Sequence, residues 1–192
     1  MQLLLIRHGR PDTGISDPKL SETGRAQATA LGTFLERAGI RAILASPLRR
    51  AVETAEPTAK ALGLEIRLVD GLAEADRYSP HYQSIEELRR SPEQWANFLA
   101  DPICFLGGNA ATFKHDVVGA IDLALSSGGD GKVALFTHGL PINIVLSHAL
   151  GLAKITHFAP HYCSITRIGG NSTDDLTVIS VNETAFLKQA GR

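Results

Sequence analysis

Apolar residues fall along this chain in two rhythms, one continuous and one helical. Residues 2–6, Gln-Leu-Leu-Leu-Ile, form a short and nearly unbroken apolar run closed by Gly9 and Pro11. Such a run predicts a strand buried on both faces, as in a parallel sheet. Residues 23–37 then place Ala26, Ala30, Leu31, Phe34 and Leu35 at helical spacing, with Gly39 as the stop and Ser21 as the N-cap. Residues 41–45 predict a second strand. Ser46-Pro47 predicts a cap and first helical position, opening a helix to about Leu62 that Pro57 should kink. Residues 64–69 alternate and predict a third strand. Further on, residues 110–126 predict a helix ending at Gly128-Gly129, residues 132–137 a buried strand, and residues 140–150 a helix stopped by Gly151. Residues 161–168 and 176–181 predict two late strands flanking Gly169-Gly170-Asn171, paired antiparallel.

Strands that alternate with helices predict an α/β fold: a three-layer sandwich with a mostly parallel central sheet and helices on both faces. Residues 71–108 break the rhythm. They hold Pro80, Pro92 and Pro102, the only tryptophan and many charges. They are expected to form a small helical cap inserted within a single domain spanning residues 1–192.

Composition narrows the function. The 192 residues carry 19 basic and 20 acidic side chains, a net charge of −1. That balance speaks against a nucleic-acid or membrane-surface partner, so any positive site must be local. Two cysteines far apart, Cys104 and Cys163, suggest neither a disulfide framework nor a metal motif and fit a reducing, cytoplasmic setting. The apolar start is too short for a secretory leader, and no stretch is long enough to span a bilayer.

Ligands of open α/β sheets bind beyond the carboxyl ends of the strands. Four predicted strand ends carry chemistry there: Arg7-His8-Gly9, Ser46-Pro47-Leu48-Arg49-Arg50-Ala51, Gly71-Leu72-Ala73-Glu74 and Thr137-His138-Gly139. Two of them share one pattern, an apolar strand running into His-Gly, where glycine lets the backbone turn and approach a ligand. Arginine beside His8 supplies a planar fork suited to phosphate oxygens. The other five histidines, His81, His115, His148, His157 and His161, lack this context and read as structural or surface residues. His8, His138 and Glu74 could in principle hold a metal, but two neighbouring arginines would repel a cation.

These segments, with Leu20-Ser21-Glu22-Thr23-Gly24, Gln27-Ala28 and Thr54-Ala55, resemble in order and spacing the histidine phosphatase superfamily, the branch that includes the cofactor-dependent phosphoglycerate mutases. The resemblance implies that His8 is a nucleophile becoming phosphohistidine and that Arg7, Arg50 and His138 surround the transferring phosphoryl group. It implies that Glu74 protonates the leaving oxygen, with Asp76 as the alternative acid. The family pattern of arginine directly before alanine selects Arg50 over Arg49. Contacts to substrate are expected from Arg7, Arg50, His138, Gly139, Ser21 and Arg77, although Ser21 also suits a plain helix cap. No metal and no cofactor are expected. His8 must attack as a neutral imidazole, so a carbonyl near Gly9 is expected to fix its tautomer.

The chain departs from the mutases in reading Arg10-Pro11-Asp12-Thr13-Gly14 after the nucleophile, without their Trp-Asn. Its Arg89-Arg90-Ser91-Pro92 reads as the end of a charged helix and not as a second anion grip. Phosphomonoester hydrolysis of a small phosphorylated substrate, or of a phosphoprotein, is the first expectation. A mutase-type phosphotransferase and a phosphoprotein-directed regulatory module are the alternatives. Substrate choice is expected to reside in the inserted segment, at Arg77, Tyr78, His81, Tyr82, Trp95 and Phe98.

Overall fold

A computed structural model describes residues 1–79, 82–129 and 131–189 of the chain. In chain order it comprises β1 (Gln2–Arg7), α1 (Glu22–Leu35), β2 (Ile40–Ala45), α2 (Arg49–Leu62) and β3 (Ile66–Leu68). Two 3₁₀ turns follow, Asp70–Leu72 and Ala75–Tyr78, and then α3 (Ile85–Leu88), α4 (Pro92–Ala100) and α5 (Pro102–Phe105). The chain continues through α6 (Ala110–Ser127), β4 (Lys132–Thr137), α7 (Gly139–Leu150), β5 (Ile165–Gly169) and β6 (Thr177–Glu183).

The six strands form one mixed sheet in the order β3-β2-β4-β1-β5-β6. The first four run parallel, and β5 and β6 join antiparallel. Both central strands are apolar through their middle four residues, Leu3 to Ile6 and Val133 to Phe136, because helices cover both faces. Leu3, Leu5, Val133 and Leu135 pack on one face with Val117 and Ile121 of α6 and Ile142 and Leu146 of α7. Leu4, Ile6, Ala134 and Phe136 point the other way, onto Leu31 and Leu35 of α1 and Ala55 and Ala59 of α2. Each fully buried leucine of this kind stabilises the fold by roughly 1.5–3 kcal/mol.

The topology positions the site. Strand β4 inserts between β1 and β2, so the segments leaving the carboxyl ends of β1, β2 and β4 rise side by side. The register pairs Arg7 with Thr137, so the next residues, His8 and His138, leave adjacent strand ends together.

Local structure differs from the sequence pattern at several points. Helix α2 begins at Arg49 with Leu48 as its N-cap, not at Pro47. The Ser46 hydroxyl is taken up by the Leu48 amide at 3.2 Å and by His138 at 2.8 Å, which holds residues 46–48 as a non-helical turn. Pro57 lies inside α2 without ending it. Gly32 of α1 fits against that proline, where a Cβ would come within 3.0 Å. Residues 161–164 are not strand. The Cys163 amide bonds to the carbonyls of both Arg7 and His8, with φ at +56°, and β5 starts only at Ile165. A 3₁₀ turn, Thr173–Asp175, separates the last two strands.

Candidate active site

The residues after β1 are bound on every side. The His8 amide donates to the Thr137 carbonyl at 2.9 Å, and the Gly9 amide donates to Thr54 Oγ1 at 2.9 Å. Thr54 itself donates to the Arg50 carbonyl one turn earlier in α2. Glycine is required at both packing points of this loop. A Cβ on Gly9 would lie 2.8 Å from the Gly24 carbonyl, and one on Gly24 would lie 2.1 Å from the Arg10 carbonyl. The loop carrying the nucleophile candidate is thus pressed against the start of α1.

His8 is 3% exposed, and its Nδ1 lies 2.8 Å from the Gly9 carbonyl. A carbonyl can only accept, so Nδ1 carries the proton and Nε2 is left as the lone-pair nitrogen. Burial lowers the His8 pKa well below 6.5, and the cations Arg50 and Arg7 lower it further against the opposing Gly9 hydrogen bond. The imidazole is therefore neutral near pH 7, as a nucleophile requires. His138 sits beside it with ring centroids 5.0 Å apart. Its Nε2 pairs with Ser46 Oγ, and burial followed by Arg50 lowers its pKa as well.

Both arginines are held by their surroundings. Arg7 donates to the Pro160 carbonyl at 2.7 Å and lies 4.1 Å from the Tyr162 ring centre. Arg50, 1% exposed, donates to both oxygens of Asp76 at 2.8 and 3.1 Å and lies 4.8 Å from the Tyr82 ring. Asp17 approaches Arg50 at 3.8 Å and accepts the Arg49 amide. Among the described residues, Arg7 Nε, Arg50 Nε and His138 Nδ1 are buried without hydrogen-bond partners. Buried polar atoms are seldom left unpaired, and these suit the oxygens of a bound anion.

Glu74 follows the first 3₁₀ turn and accepts from Ala75 N at 3.1 Å and from Leu140 N, at the start of α7, at 3.2 Å. Its carboxyl is pushed up to about 7, first by burial and then by the neighbouring Asp76 charge, against the amides of Leu140 and Ala75 and the charge of Arg50. A carboxyl of that pKa can both donate and accept a proton near neutrality. Asp76 instead serves as the counter-ion of Arg50.

These groups meet on one cavity of about 310 Å³, lined among others by Arg7, His8, Arg50, Glu74, Asp76, Tyr82, Gly139 and Tyr162. His138 stands behind His8 with no exposed surface. Besides His138, two residues expected at the substrate do not line this cavity. Ser21 caps α1, accepting from the Gly24 amide and donating to the Arg10 carbonyl, and does not line the cavity. Arg77 turns to the carbonyl and carboxylate of Asp70 and lines an adjoining pocket of about 140 Å³ that shares Arg50, Asp76 and Tyr82 with the cavity. Arg49 pairs with Glu53 on the surface. Of the specificity candidates, Tyr82, Trp95 and Phe98 line the cavity, while His81 and the side chain of Tyr78 lie outside the described residues. The sequence pattern missed Tyr162 and Asn143, and it read Ser46 only as a helix cap. Asn143 left a signal as the one amide side chain of α7.

The family model of the histidine phosphatase superfamily, branch 1, matches residues 3–184. A probable phosphoglycerate mutase of Erwinia tasmaniensis is 28% identical, covering 96% of this chain and 92% of its own. Phosphoserine phosphatase 1 of Hydrogenobacter thermophilus is 28% identical over 79% of this chain and 77% of its own. The solved structure of a mycobacterial glucosyl-3-phosphoglycerate phosphatase superimposes with a TM-score of 0.76 at 21% identity, covering 96% of this chain and 99% of that one.

Proposed function

The chain belongs to the histidine phosphatase superfamily, branch 1, and from that premise we propose that it hydrolyses phosphomonoesters by way of a phosphohistidine on His8. The observation that carries this is the pairing of a neutral, tautomer-fixed His8 with a Glu74 carboxyl of pKa about 7 on one cavity. His8 Nε2 attacks phosphorus, the ester P–O bond breaks, and protonated Glu74 gives its proton to the departing alkoxide. Water then attacks the phosphohistidine, Glu74 takes the water proton, and the N–P bond breaks to release phosphate. Arg7 and Arg50 stabilise charge on the phosphoryl oxygens, and His138 packs against His8 from behind.

Hydrolysis is favoured over transfer by what the rest of the cavity offers. A mutase must grip a substrate with a second anionic group and keep water from the phosphoenzyme. Beyond the phosphate surround, Arg89 is the one guanidinium on the wall among the described residues, and it lies over Trp95; Arg90 does not line the cavity. Among the described residues no helix is long and apolar enough to cross a membrane. A panel of phosphomonoesters assayed with and without a bisphosphate primer separates the two activities. Phosphate release at full rate without primer supports hydrolysis. Primer-dependent isomerisation that outpaces phosphate release refutes it.

A further inference from the structure

Resting on the hydrolytic assignment just made, we propose that the alcohol half of the substrate is a compact apolar group, aromatic or branched, carrying no negative charge of its own. The walls of the cavity beyond the phosphate surround carry this. Helix α4 turns Trp95, Phe98 and Leu99 into it from one helical face, at spacings of three and four residues. Trp95 and Phe98 stack at 5.4 Å and 17°, which fixes both rings in the wall. Leu99 is 40% exposed there.

Leu140, at the start of α7, and Phe158 line the same cavity. Phe158 belongs to an irregular segment, yet its place is fixed from both sides. The buried side chain of Asn143 donates to the Phe158 carbonyl at 3.0 Å and accepts the Phe158 amide at 3.0 Å, while its other N–H holds the Gly139 carbonyl. Apolar walls of this kind desolvate a flat or branched hydrocarbon.

The charges on the same walls do not suit a second anion. The Glu86 carboxylate lines the cavity and accepts from Tyr162 at 3.1 Å. Among the described residues, Arg89 offers the one guanidinium beyond the phosphate surround, with its face on Trp95, and His157 and His161 are the remaining titratable side chains of this part of the lining. A carboxylate or second phosphate on the alcohol would displace water from apolar walls and meet Glu86 as well as Arg89. At about 310 Å³ the cavity is at the small end of ligand pockets, so one ring or its branched equivalent fills it.

The test compares benzyl phosphate with 4-carboxybenzyl phosphate, whose alcohols leave with similar ease. The expected kcat/KM favours the uncharged ester at least ten-fold. Benzylphosphonate and 4-carboxybenzylphosphonate, which cannot be hydrolysed, should show the same preference in calorimetric binding. The Leu99→Lys variant, changed at an exposed position, should shrink the preference at least three-fold. Turnover with equal or reversed preference overturns the substrate class and leaves hydrolysis standing. Absence of turnover on every ester overturns hydrolysis, and the phosphonate ratio then still decides the apolar pocket: equal, reversed or undetectable binding sinks it.

Discussion

Replacing Asp76 by asparagine should move the alkaline limb of the pH–rate profile to lower pH. Glu74 must be protonated to release the alcohol, so kcat/KM falls about tenfold for each pH step of one above its pKa. That pKa is raised from 4.5 to about 7, first by burial and second by the Asp76 charge. The Asp76→Asn substitution removes the second cause and leaves Arg50, until then paired with Asp76 at 2.8 Å, unneutralised beside Glu74. Both changes favour the Glu74 carboxylate. The limb should therefore move from about 7 toward 4.5 without reaching it, because burial remains. Lowering the limb by about one pH step costs about tenfold in rate at pH 8, roughly 1.4 kcal/mol, and almost nothing at pH 5. The assay is kcat/KM from pH 4.5 to 9 with benzyl phosphate, normalised to pH 5. 4-Nitrophenyl phosphate serves as control, since its leaving group needs no proton and its profile should keep no such limb. A limb that stays at 7 or moves upward in Asp76→Asn refutes the coupling. A limb that persists in Glu74→Gln refutes Glu74 as the acid.

Other consequences follow from the same contacts. Glu74 also ties stability to pH: its raised folded pKa favours folding below 4.5, and this contribution is lost as pH rises through 7. Glu74→Gln should thus gain on the order of 3 kcal/mol over wild type between pH 4 and pH 8, read by denaturant titration at both pH values. Ser46→Ala strands His138 Nε2 in the interior and should cost about 1–3 kcal/mol of stability by the same titration, with a lower kcat. Tyr162→Leu removes the ring under Arg7, and at about 0.5–2 kcal/mol should raise KM or the inhibition constant of vanadate roughly two- to thirty-fold. Gly24→Ala drives a Cβ against the Arg10 carbonyl and should lower Tm, with overpacking costing roughly 1–3 kcal/mol.

Much of the fold was legible because burial writes itself into composition. Leu3 to Ile6 and Val133 to Phe136 are apolar at every position, and only a strand covered on both faces tolerates that. The His-Gly steps after β1 and β4 were legible for the same reason, since each ends such a strand, and the β1–β4 register brings the two imidazoles to 5.0 Å. Boundaries failed where a side chain was diverted to a distant partner. Ser46 looked like a helix cap, but its hydroxyl belongs to His138, 92 positions away. Ser21 and Arg77 lie near the right motifs, yet one is consumed in capping α1 and the other by Asp70. Asp76, read from the sequence as the alternative acid, accepts from Arg50 at 2.8 Å, a pairing with no local signature in the sequence. Tyr162 left no mark at all, because its neighbour Arg7 lies at the far end of the chain and no local periodicity records such a contact.

Covalent trapping reaches the central claim most directly. A labelled phosphomonoester mixed with the protein and quenched in alkali within one turnover should leave phosphate on a single peptide, attached to His8, stable to base and lost in acid. No label on His8 during active turnover, or label of the same kind retained in His8→Ala protein, would contradict the account.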